Sequence, residues 1–85
     1  MPRVPSPAAA QIGRNITVYR NAKGWTRDKL AGESGVESSN LAHHEAGRAM
    51  VSVPTLVKLA TALQTDPGNL LVGVTPELLS QKYPQ

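Results

Sequence analysis

Apolar positions in this chain recur at helical spacing, in short runs separated by glycine and proline. Ile12, Ile16 and Tyr19 fall at i, i+4 and i+7, which predicts a first helix with one buried face over residues 7–23. Ser6 and Pro7 supply an N-cap and a first-turn proline, and Gly24 supplies a C-terminal stop. Thr26 is placed to cap a second helix over residues 27–34, with Leu30 and Ala31 turned inward. Gly35 falls where a tight turn needs a residue without Cβ, and Val36 follows as a buried anchor. A third helix is expected over residues 38–46, ending at Gly47. Leu41 and His44 are its inward residues, His44 as a core-edge histidine with one hydrogen bond, while Ser38, Ser39, Ala42 and His43 face outward.

Ser52 and Pro54 open a fourth helix. Val53, Leu56, Val57, Leu59, Ala60 and Leu63 make it the most clearly amphipathic segment. Asp66 and Pro67 start a short fifth helix ending before Gly73, with Leu70 and Leu71 expected to complete the core. Residues 75–82 allow one more helical turn, with Thr75 as its cap and Pro76 first. No strand alternation and no repeat is visible. The pattern divides the chain into an N-terminal arm (1–6), an all-α domain (7–73) and a tail (74–85). The apolar segment 70–79 outside the first four helices is the candidate dimer contact.

Composition narrows the function classes. Eighty-five residues allow one small domain. No cysteine is present, so disulfides, thiolate chemistry and Cys-ligated zinc are excluded. No run approaches the roughly 18 apolar residues of a membrane span, and the first residues lack the apolar core of a secretory leader. Together these point to a cytoplasmic protein. The net charge of +3 is carried by the first half: Arg3, Arg14, Arg20, Lys23, Arg27, Lys29 and Arg48 stand against Asp28, Glu33, Glu37 and Glu45. A localised positive excess is what a polyanionic partner attracts.

The chemistry of enzymes finds little support. His43 and His44 are adjacent on a helix and point about 100° apart, so they do not share a metal-ligand face. No nucleophile–base set, Gly-rich phosphate loop or substrate-sized enclosure is evident. Neither an enzyme, a cofactor, a resident metal nor a small-molecule substrate is expected.

The remaining constellation is specific. Thr26 to Gly47 reads as helix, glycine turn, helix. Arg20, Gly24-Trp25-Thr26, Leu30-Ala31, Gly35-Val36, Leu41, Glu45-Ala46-Gly47-Arg48 and the apolar run Leu56 to Leu63 stand in one ungapped register. In that register the chain resembles the Cro/repressor-like (XRE) helix-turn-helix family over about 60 of its 85 residues. The resemblance implies a lambda-repressor-like five-helix domain that binds double-stranded DNA, in this family as a homodimer on half-sites one helical turn apart.

It also implies roles. The third helix enters the major groove, presenting Ser38, Ser39, Ala42 and His43, with Glu37 and Asn40 at its edge. Glu37 is a candidate base contact and Asn40 a candidate phosphate contact. Thr26, Arg27, Lys29 and Arg48 are the other phosphate-contacting candidates. Arg27 stands where the family often has glutamine, and Lys29 replaces the glutamate that would complete a capping box. His44 and Ala46 also depart from the usual pattern. Arg20 and Glu45 resemble the structural salt bridge of this fold. The competing reading is an antitoxin-like or adaptor protein that mainly binds a partner protein.

Overall fold

Four of the five α-helices start where a side chain takes over an orphan backbone amide. The computed structural model describes residues 6–80. Ser6 Oγ accepts from the Ala9 amide at 3.0 Å and opens α1 (Pro7–Ala22). Thr26 Oγ1 accepts from the Lys29 amide at 3.1 Å and opens α2 (Arg27–Ser34). Ser52 Oγ does the same for Thr55 at 3.3 Å, ahead of α4 (Val53–Ala62). The intervening α3 (Ser38–Glu45) begins at Glu37 without a side-chain cap. A short α5 (Pro76–Ser80) begins after Thr75, whose hydroxyl accepts from Leu78.

The expected fifth helix at 66–71 is instead a 3₁₀ segment, Pro67–Leu71, and Asp66 makes no side-chain cap bond there. Its first turn closes through an i→i+3 bond, the Asn69 amide donating to the Asp66 carbonyl at 2.9 Å, which is the 3₁₀ pattern. The described residues are otherwise all helical, with five α-helices and no strand. None of these helices is long and apolar enough to cross a membrane. Residues 1–5 of the expected arm and 81–85 of the tail lie outside the described residues.

The core lies where α1, α2, α3, α4 and the 3₁₀ segment converge. Ile16, Leu30, Leu41, Leu59 and Leu70 are fully buried there, with Ile12, Val36, Leu56, Ala60 and Leu63 around them. Tyr19, Trp25, Ala31, Val51 and Val74 pack on its edge. Two expectations are corrected. Val53 and Val57 of α4 are 73% and 45% exposed, because the segment buries only the stripe of Leu56, Leu59, Ala60 and Leu63. Leu71 is 39% exposed, so Leu70 alone of that pair closes the core. Asn15 secures this closure by donating from Nδ2 to the carbonyls of Leu70 (3.0 Å) and Val72 (2.8 Å).

Two glycines position the helix pair. Gly35 sits at φ 76° between α2 and α3, a left-handed conformation that side chains with Cβ rarely adopt. Gly13, in mid-α1, allows α3 to approach so closely that a Cβ there would lie 2.3 Å from the His44 carbonyl oxygen and 2.6 Å from that of Glu45. Those atoms are backbone and cannot rotate away. The contact therefore outweighs the roughly 1 kcal/mol that alanine ordinarily gains over glycine in a helix. We expect Gly13→Ala to lose about 2 kcal/mol and melt roughly 8–16 °C lower, as read by thermal circular dichroism. An unchanged or raised melting temperature would refute the close approach.

Candidate nucleic-acid interface

Arg20 lies in the last turn of α1 and Glu45 ends α3, and the two meet as a two-pronged ion pair. Arg20 Nε donates to Glu45 Oε2 at 2.7 Å and its second amino group donates to Oε1 at 3.0 Å. The side chains are only 12% and 6% exposed. The third prong of the guanidinium donates to the Trp25 carbonyl at 2.7 Å, tying the α1–α2 junction into the same group. Thr17 donates to Glu45 Oε1 at 3.1 Å. Gly13, Thr17 and Arg20, at i, i+4 and i+7, thus form one stripe of α1 dedicated to α3. The hydrogen bonds from Arg20 to Glu45 raise the guanidinium pKa above its ordinary value, burial opposes this, and the Glu45 charge adds to the rise. A raised pKa keeps the contribution of Arg20 to stability in full through the neutral range, to be lost only in strong alkali.

That anchor sets the outer face of α3. Leu41 is fully buried beneath it, while Ser39, Asn40 and His43 are exposed and Ala42 is half-buried. Glu37 is exposed at the leading end. Ser38 is half-buried, and its hydroxyl is not free: it donates to Asp28 Oδ1 of α2 at 2.6 Å. His44 is half-buried, its Nδ1 3.3 Å from the Ala49 carbonyl oxygen, in line with a core-edge histidine.

The candidate phosphate-facing residues are distributed along the same side. Thr26 is exposed at the start of α2, with its hydroxyl committed to the cap. Arg27 is 50% exposed and leans its Nε to within 3.5 Å of Glu45 Oε1. Lys29 pairs with Glu33 at 3.2 Å and lies 5.6 Å from the centre of the Trp25 ring, with Lys23 at 5.0 Å from the same ring. Both distances fall within cation–π range. Arg48 is exposed beyond α3 and has no ion pair among the described residues. Asn40 is exposed within the first turn of α3.

Three residues not singled out from the sequence shape this face: Gly13, Thr17 and Asp28. Gly13 carried a signal, since a glycine in mid-helix is disfavoured unless close packing needs it. Asp28 carried none, because its partner lies ten residues away across the turn.

With this geometry in view, comparison with known proteins is decisive. A family model described as a helix-turn-helix domain matches residues 11–71. The chain belongs to the Cro/repressor-like helix-turn-helix family. The restriction-modification controller protein C.AhdI from Aeromonas hydrophila is 35% identical, with a TM-score of 0.71 over 73% of this chain and 94% of that one. The N-terminal DNA-binding domain of SinR from Bacillus subtilis is 30% identical, with a TM-score of 0.72 over 76% of this chain and 96% of that one. An HTH_3 family transcriptional regulator from Vibrio cholerae is 27% identical at a TM-score of 0.74, over 86% of this chain and 40% of that longer one. No curated protein matches the chain.

The ion pair generates a prediction. Removing one partner leaves the other buried and uncompensated, at a cost of about 3–5 kcal/mol. Glu45→Ala should lose that much in urea denaturation, and Arg20→Ala a similar amount, whereas Glu33→Ala, from an exposed pair, should lose under about 1 kcal/mol. Equal losses for Glu45→Ala and Glu33→Ala would show that the buried pair contributes no more than a surface one.

Proposed function

We propose that this protein is a sequence-specific transcriptional regulator that binds double-stranded DNA as a homodimer on a pseudo-palindromic operator. The observation that carries the reading is the exposed row Ser39, Asn40 and His43, on a helix whose opposite side is locked by Leu41 and by the Arg20–Glu45 pair. A rigid helix of this width fits the major groove, where base edges offer distinct donors and acceptors.

In this reading Ser38, Ser39, Ala42, His43 and Glu37 face bases. The Ser39 hydroxyl and the His43 imidazole can meet either kind of edge, and the Ala42 methyl suits thymine. Thr26, Arg27, Lys29, Asn40 and Arg48 flank them toward the phosphate backbone, with the open amides at the start of α2 adding donors. The short side chains on α3 leave part of the specificity to bridging water and to duplex shape. The related SinR has been solved in complex with DNA, at 33% identity to this chain.

A single module covers only about 600–1,000 Å² of protein surface on DNA, which favours a pair of modules. Val72 and Leu79, both more than half exposed near the end of the described chain, are apolar groups suited to such a pairing through the segment 70–79.

Direct DNA binding is checked by a salt titration of duplex affinity. We expect a steep linear fall of log K against log salt. Arg48→Ala should weaken all sequences alike and reduce that slope by about 1, whereas His43→Ala should relax preference at one base pair by about 1–3 kcal/mol. A flat salt response, together with a tight complex with another protein, would replace this reading with the antitoxin-like or adaptor role.

A further inference from the structure

The hydrogen bond between Ser38 and Asp28 has a direction, and the direction matters. At 2.6 Å it joins the second residue of α2 to the first residue of α3. A carboxylate at neutral pH only accepts, so Ser38 must be the donor. An O–H···O⁻ contact of this length is charge-assisted and strong for its kind. A serine hydroxyl has one proton and two lone pairs. With the proton committed to Asp28, what Ser38 Oγ offers to anything else is acceptance alone. Among the described residues no donor reaches Oγ. Ser39, the next residue, is exposed, and its hydroxyl has no partner among the described residues, so it remains able to donate or accept. Beside them Glu37 is exposed, makes no cap bond to the helix, and is likewise an acceptor.

In the major groove, adenine N6 and cytosine N4 are donors, whereas guanine O6 and N7 and thymine O4 are acceptors. We propose that Asp28 sets base specificity without touching a base: by holding the Ser38 proton it turns Ser38 into a reader of amino groups. Ser38 then accepts adenine or cytosine on the contacted strand and disfavours guanine or thymine, and does not separate adenine from cytosine. Asp28 is a positioning residue, acting only through Ser38. The inference rests on the reading above that α3 enters the major groove, and adds to it an orientation rule for one base pair per half-site.

Selection from a random duplex pool tests it, with the full chain and its Asp28→Ala, Asp28→Asn and Ser38→Ala variants. Asp28 and Ser38 lie outside the buried core, so these variants are expected to fold, and melting curves check this. The unaltered protein should show one position per half-site where adenine and cytosine together exceed guanine and thymine about tenfold, the scale of one well-made base contact. Asp28→Ala frees the hydroxyl to rotate, and the ratio at that position should fall to within about twofold while other positions keep their preferences. Asp28→Asn should do the same, since its amide can donate to Ser38 and return the proton to the groove. Ser38→Ala should abolish the preference, and adding Asp28→Ala to it should change nothing more at that position. Removing the Asp28 charge should also raise affinity for all sequences alike, a uniform effect distinct from the positional one.

The proposal is overturned if Asp28→Ala keeps the positional ratio, or if Ser38→Ala keeps it. Either result leaves the DNA-binding reading standing. If instead the unaltered protein selects no sequence, the groove reading itself fails and takes this proposal with it.

Discussion

A carboxylate withdrawn from water needs charged and polar partners, and Glu45 takes them from both α1 and α2. Arg20 reaches it from the end of α1 with two nitrogens, Thr17 from one turn earlier, and Arg27 from the start of α2. The arrangement is directional. Because the guanidinium fork is planar and its third prong is held by the Trp25 carbonyl, the end of α3 can occupy only a narrow range of positions relative to α1 and α2. Such a pair need add little net stability over an apolar substitute, since desolvation offsets much of the attraction. What it contributes is placement of the helix whose outer face carries the candidate base-facing residues.

The close crossing of α1 and α3 belongs to the same constraint. Gly13 lets the backbones approach until a methyl group would no longer fit. That closeness brings Thr17 and Arg20 within reach of Glu45. At the other end of α3, where no side chain caps the helix, the Ser38–Asp28 bond joins it to α2. Helix α3 is thus held at both ends by carboxylates with opposite relations to it: Glu45 belongs to α3 and draws in the scaffold, while Asp28 belongs to the scaffold and draws in α3.

Much of this was legible in the residues, and for identifiable reasons. Serine and threonine caps, first-turn prolines and stop glycines act within four residues, so α1, α2 and α4 could be bounded to within a residue or so. The helix-glycine-helix spacing and the Arg20 and Glu45 positions carried the family resemblance, and the ion pair stands where that resemblance put it. The reading was weaker where a residue's fate depends on a neighbour remote in sequence. Val53 and Val57 have the spacing of buried residues, but α4 meets the core along a narrower stripe, and both are exposed. Leu71 has the character of a core residue, but Leu70 already fills the space.

The local chemistry of the chain therefore determined the helices, their order, the turn at Gly35 and the family, because each depends on short-range hydrogen bonding and periodicity. Tertiary structure decided which polar groups are spent. Ser38 looks, in sequence, like a free hydroxyl at the head of a recognition helix; only the packing of α2 against α3 brings Asp28 to it and removes its proton from use. A side chain's hydrogen-bonding capacity is finite, and how much of it is left for a ligand depends on distances between segments, which no spacing along the chain encodes.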